Sequence, residues 1–113
     1  FKNLDRQDFL TMVAHSQCLV GNSSSGLLES PSLKIGVVNI GDRQNLREKS
    51  MNIFDAKYDY KDITLKIKKA IKVKNNLHNI KNIHGDGNSS IRIYKILKKL
   101  RITKSLLNKN TTY

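Results

Sequence analysis

The sequence predicts an α/β fold, a parallel sheet with flanking helices. Two observations predict the sheet and a third the helices. The short apolar run "CLVG", Cys18 to Gly21, and the almost continuously apolar "IGVVNIG", Ile35 to Gly41, read as strands covered on both faces. Between them lies a helical pattern, which makes a strand–helix–strand unit with a right-handed crossover. After Asp59 the apolar period turns helical and stays so.

Each element has its own signal. Asp5 can cap a first helix with Phe9, Leu10, Val13 and Ala14 on its apolar face, ending near Ser16. The helix after the serines places Leu27 and Leu28 inside, with Pro31 close behind. "MNIFDA", Met51 to Ala56, reads as a third short strand. Ile63, Ile67, Ala70 and Ile71 form the stripe of a long helix. Residues 74–89 read as a loop before the final helix, whose face is Ile93, Ile96, Leu97 and Leu100. Residues 108–113 read as a frayed tail.

The 113 residues are enough for one domain with a real core, and their net charge is +12. That charge is unevenly placed. Residues 1–56 hold six basic and six acidic side chains, and residues 57–113 hold fifteen basic against three acidic. Lysines surrounding an apolar stripe, with Tyr94 as almost the only aromatic among them, read as solvated helix faces rather than a nucleic-acid surface. No apolar run is long enough to span a membrane, and no opening resembles a signal peptide. The lone Cys18 excludes an internal disulfide and reads as a small core hydrophobe. His15, His78 and His84 stand in no ligand motif: His15 reads as a helix C-terminal partner and His84 as part of a turn. No metal and no cofactor is implied, and a cytoplasmic location fits best.

Two loops carry the candidate chemistry. "VGNSSSGLLES", Val20 to Ser30, sets Asn22, Ser23, Ser24, Ser25 and Gly26 between a strand and a helix. Backbone N–H groups and hydroxyls there can receive a phosphate, and a glycine allows close approach. Glu29, about one turn into the helix, could accept hydrogen bonds from a ribose diol. The same residues also suit a plain serine N-cap, with Glu29 complementing the helix dipole. "NIGDRQNLREK" follows the second strand at its carboxyl end and supplies Arg43 and Arg47, which lie beside the serine loop if the two strands are neighbours. The ordinary alternative pairs both arginines with Asp42 and Glu48 at the surface.

Together the two loops resemble the UDP-N-acetylglucosamine 2-epimerase family, in its hydrolysing branch that feeds sialic-acid and related nonulosonate synthesis. The shared pattern is Gly-Asn-Ser-Ser-x-Gly, a glutamate three positions on, then Asn-x-Gly-x-Arg-Gln-x-Gly-Arg. Here it falls on Gly21, Asn22, Ser23, Ser24, Gly26, Glu29, Asn39, Gly41, Arg43, Gln44 and Arg47, with Leu46 where the family has glycine. "GDGN", Gly85 to Asn88, before an amphipathic helix also fits.

The resemblance implies the C-terminal, UDP-binding portion of a two-domain enzyme of the glycosyltransferase-B type, a partial Rossmann-like domain in a homo-oligomer. Carried over by position, Ser23 and Ser24 bind the diphosphate and Glu29 the ribose. Arg43 holds the phosphates, and the segment around Leu4 approaches the uracil. Asn22, Gly26 and Arg47 accompany them. The implied reaction releases UDP from a UDP-sugar and inverts C2. Glu29, Asp42 and Glu48 are the only acids near the loops and form no acid–base pair, so the catalytic groups are expected in an N-terminal part. Two other readings stay open: a sugar-nucleotide glycosyltransferase of the same fold, and a basic nucleic-acid-binding module.

Overall fold

The computed structural model of the chain describes residues 2–108. Among them, six helices and three strands follow one another: α1 (Arg6–His15), β1 (Cys18–Gly21), α2 (Ser24–Leu28), α3 (Ser30–Leu33), β2 (Gly36–Ile40), β3 (Ile53–Ala56), α4 (Tyr60–Val73), α5 (Ser89–Lys99) and α6 (Lys104–Leu107). The strands form one parallel sheet in the order β1-β2-β3, with Cys18 opposite Gly36 and Val37 opposite Ile53. The carboxyl ends of all three strands therefore share one edge.

Local chemistry sets the helix starts. Asp5 caps α1 by accepting from the Gln7 N–H at 2.8 Å, and Ser16 closes it. Asp59 caps α4 by accepting from the Asp62 N–H at 2.9 Å. Gly36 and Ala70 explain how α4 meets the sheet. A methyl group added to Gly36 would overlap the Ala70 backbone carbonyl, so α4 and β2 are in direct main-chain contact. Val38, Ala56 and Ala70 form the core there, with Cys18, Ile40, Phe54, Ile63 and Ile67 packed against it.

Several boundaries differ from the sequence reading. The helix after the serines is broken in two, since Pro31 lies in the first turn of α3. Leu27 and Gly26 are buried in it, but Leu28 is exposed. Ile71 is likewise exposed, leaving Ile63, Ile67 and Ala70 as the inward stripe of α4. Residues 74–89 are not a bare loop. They open with a single 3-10 turn, Lys74–Asn76, and Leu77 and Ile80 are buried. Lys34 Nζ donates to the Ile80 carbonyl at 2.6 Å, and Asn82 Nδ2 donates to the Leu28 carbonyl at 2.9 Å and to Ser32 Oγ at 2.8 Å, so this segment lies against the end of α2 and α3. Nor is α5 the final helix, since Thr103 caps α6. The expected frayed tail lies outside the described residues, apart from Asn108, which closes α6.

α5 buries none of its residues. Ile93, Ile96, Leu97 and Leu100 are aligned on one face as expected, yet that face is open to solvent. Its start is fixed by the "GDGN" turn, where Gly87 takes φ +82 and Asp86 receives Arg92 Nη1 at 2.9 Å. The Arg92 guanidinium holds the Asp86 carboxyl well below the usual carboxylate range.

The main-chain contact gives a direct test. Gly36→Ala is expected to lower unfolding stability by about 1–3 kcal/mol, because backbone must shift to admit the methyl. Gly26→Ala should cost less, since it meets side chains, Val37 Cγ1 at 3.2 Å and Leu19 Cδ2 at 3.6 Å, that can yield. Urea denaturation of both variants measures the difference, and equal losses would place the constraint elsewhere.

Candidate functional site

The serine loop leaves β1 and the arginine loop leaves β2, and these strands are direct neighbours. The β2-to-β3 crossover, residues 41–52, contains no helix, so the arginine loop stays long and lies on the carboxyl edge. Gly41 opens it with φ +78, and the Tyr58 ring occupies the space a side chain at 41 would need. Asn45 N–H donates to the Asp42 carbonyl at 2.9 Å and Arg47 N–H to the Gln44 carbonyl at 3.2 Å, which folds the loop into consecutive turns.

Gln44 joins the two loops. Its side chain is buried, and Nε2 donates to the Asn22 carbonyl at 2.9 Å. Gln44 is part of the sequence motif, but its partner is 22 residues away and no spacing rule reveals it. Leu46 projects entirely into solvent, and its backbone stays at negative φ, so the loop accommodates it without strain.

Ser23 is the N-cap of α2 and accepts from the Ser25 N–H; its oxygen lies 3.1 Å from Ser25 Oγ. The serine-cap reading is therefore realised at Ser23, whose hydroxyl also pairs with that of Ser25. Ser24 opens the helix and is half-buried, and Asn22 is exposed. Gly26 is buried, and the space its missing side chain leaves is taken up by Val37 and Leu19. A cavity of about 180 Å³ lies at the loop, walled by Phe9, Leu19, Val37, Ser23 and Ser25. Leu4, just before α1, lines a neighbouring cavity with Phe9 and Met12.

Arg43 and Arg47 are both exposed, and among the described residues neither forms an ion pair. The alternative of surface pairing with Asp42 and Glu48 is not what the structure contains. Glu29 departs from its expected position. It does not lie within a helix but at the junction of α2 and α3, where its N–H donates to the Ser25 carbonyl and its own carbonyl accepts from Ser32 and Leu33. Its carboxylate receives Arg6 Nη1 at 3.0 Å. Sequence reasoning missed Arg6, because no local pattern points from it to Glu29.

On the β3 side, Asp55 accepts from Lys49 Nζ at 2.8 Å and from the buried Asn39 at 2.7 Å. Partial burial pushes the Asp55 carboxyl up. Hydrogen bonds from Lys49 and Asn39, with the charges of Lys49 and Lys66, outweigh this, and the group titrates below the usual carboxylate range. Among the described residues no group of three His, Cys, Asp or Glu side chains could hold a metal ion, and no helix is long and apolar enough to cross a membrane. Cys18 is half-buried, and desolvation pushes its thiol up.

Comparison with known proteins addresses the whole arrangement. The family model described as UDP-N-acetylglucosamine 2-epimerase matches residues 1–98. The chain belongs to this family. Among its relatives, a Legionella pneumophila protein named UDP-N,N'-diacetylbacillosamine 2-epimerase (hydrolyzing) is 40% identical over 99% of the chain and 29% of its own length. An Escherichia coli protein named polysialic acid biosynthesis protein P7 is 32% identical over 95% of the chain and 27% of its own length. A Campylobacter jejuni protein named GDP/UDP-N,N'-diacetylbacillosamine 2-epimerase (hydrolyzing) is 45% identical over half of the chain and 15% of its own length. The chain thus spans less than a third of the length of these relatives, and within the epimerase family both loops fall inside the matched residues.

The Lys49–Asp55 pair supports a pH prediction. A carboxyl depressed in the folded state stabilises that state above its unfolded pKa of about 4, and the contribution fades as pH falls through the folded value. Asp55 is 52% exposed, so the pair is worth at most about 1 kcal/mol. Lys49→Met should lower stability by that amount at pH 7 and by progressively less below about pH 4. Urea denaturation at both pH values checks it, and a constant difference would remove the pair from the account.

Proposed function

We propose that this chain forms the UDP-binding part of a hydrolysing 2-epimerase acting on a UDP-linked 2-acetamido sugar, either UDP-N-acetylglucosamine or a 2,4-diacetamido relative. Its product would be UDP and the C2-inverted free sugar, N-acetylmannosamine or a related one, for nonulosonate synthesis. The observation that carries this reading is the Gln44 bridge. It fastens the serine loop to the arginine loop at the carboxyl ends of two neighbouring parallel strands, where α/β sheets receive ligands. The names of the relatives point to the same chemistry.

In this reading the diphosphate lies between the loops. The Ser23 and Ser24 hydroxyls and the N–H groups that open α2 donate to its oxygens, and Arg43 offers a planar fork to the same charge. When the C1–O bond breaks, the electron pair leaves with UDP and negative charge grows on its terminal phosphate. Donors already fixed around that oxygen stabilise the departing group more than the intact substrate. The C2 proton is removed as the glycal forms, then water adds to C1 and a proton returns to C2 on the opposite face. These proton transfers need groups beyond those on the two loops. Leu4, Glu29 and Arg47 complete the nucleotide site on the base, ribose and phosphate sides.

Calorimetric titration of the chain with UDP, UMP and uridine tests the cradle. Ser23→Ala and Ser24→Ala should each weaken UDP by about 1 kcal/mol or somewhat more and leave uridine nearly unchanged. If the serines act only as a helix cap, thermal stability falls and the UDP-to-uridine affinity ratio stays as it was. Arg43→Lys should also reduce that ratio, because an ammonium keeps the charge and loses the fork; an Arg43→Lys variant that binds UDP like the parent would make Arg43 a bystander.

A further inference from the structure

Arg6 is the first residue of α1, and it reaches across to Glu29 from 23 positions away. Exposed ion pairs are common and weak. This one differs in what it holds. The Glu29 backbone is fixed on both sides, since its N–H and its carbonyl each serve one of the two short helices it joins. The carboxylate therefore projects from a fixed point. Its contact with Arg6 is single-pronged, from Nη1 to Oε1. The other oxygen, Oε2, is buried and has no donor among the described residues. A buried acceptor left in that state costs about 1–3 kcal/mol, more for a charged one. A free Glu29 side chain would rotate to hydrate Oε2, and the contact at Oε1 opposes that rotation.

The exposure of the pair is equally uneven. The Glu29 side chain is 21% exposed and that of Arg6 72%. Among the described residues only one Arg6 N–H is engaged, so further donors stay open. Both side chains line a cavity of about 240 Å³, together with Leu10, Leu28, Ser32 and Leu33. Glu29 Oε1, which accepts one Arg6 N–H at 3.0 Å, keeps a second lone pair, and the guanidinium keeps further N–H groups. A hydroxyl group placed beside this contact donates to the carboxylate and accepts from the guanidinium. Two adjacent hydroxyls fit such a pair better than one.

We propose that Arg6 is a ribose-site residue: it holds the Glu29 carboxylate in place and supplies the donor half of a donor–acceptor pair for a vicinal diol. The proposal rests on the nucleotide-binding reading above and assigns a role to a side chain that the motif does not include. It also links two parts of that site. Leu4, expected at the base, is two residues before Arg6, so the pair couples the base-side segment to the ribose carboxylate.

The test is calorimetric titration of the chain with UDP, 2′-deoxy-UDP and inorganic pyrophosphate. The parent should prefer UDP over its 2′-deoxy analogue by about tenfold, the worth of a hydrogen bond to a charged group. Arg6→Gln should bring that preference close to one and leave pyrophosphate binding and thermal stability nearly unchanged. Arg6→Lys, with a point charge in place of the fork, should fall between them. Glu29→Gln should remove the same preference, and the double variant should lose little more than either single one, as coupled residues do. A preference that survives Arg6→Gln overturns the assignment while the nucleotide reading stands. A parent that binds no UDP overturns both.

Discussion

Asn52 is the constraint on which the rest of the fold depends. It is fully buried, and both amide hydrogens are used, one on Ser30 Oγ and one on the Ile35 carbonyl, each at 2.7 Å. Its own backbone carbonyl accepts from the Val37 N–H at 2.9 Å. Ser30 Oγ in turn donates to the Gly26 carbonyl. One residue therefore joins the short helices, the start of β2 and the start of β3. These donors would be unsatisfied if left alone in that interior, while the Asn52 Oδ1 is buried without a partner among the described residues.

The site inherits its geometry from this knot. With β1, β2 and β3 in parallel register, their carboxyl ends lie along one edge, and both candidate loops must emerge there. Gly26 brings α2 close to β2, Gly36 brings α4 close from the other side, and the loops are the parts left free to meet a ligand. Gln44 then limits that freedom by tying one loop to the other. The Arg43 and Arg47 side chains stay exposed and unpaired among the described residues, on a backbone that is itself pinned.

What was legible in the sequence follows from range. Asp5 before a helical stripe, the apolar run of β2 and the helical period after Asp59 are local patterns, and all three elements form where those patterns lie. The third strand and the adjacency of the two loops were also readable, since parallel strands with short crossovers have few arrangements. Contacts between distant residues were not. Nothing in the spacing of Arg6 and Glu29, or of Gln44 and Asn22, announces that they touch. Leu77 and Ile80 sit in a polar, glycine-containing stretch that reads as solvent loop, and they are buried because Lys34 and Asn82 draw that stretch against the end of α2 and α3. The apolar stripe of α5 was readable as amphipathic, but periodicity names a face without naming what covers it.

That open face gives the basic half of the chain a colloidal meaning. Ile93, Ile96, Leu97 and Leu100 would make two copies of the helix adhere in water, as apolar stripes do. Arg92, Lys95, Lys98, Lys99 and Arg101 surround them with charge of one sign. Lysine flanking a sticky segment is how sequences keep such segments apart before they find their cover. The repulsion acts over about 10 Å at 0.1 M salt and shrinks as salt rises. Raising the ionic strength therefore weakens the charge that keeps these faces apart.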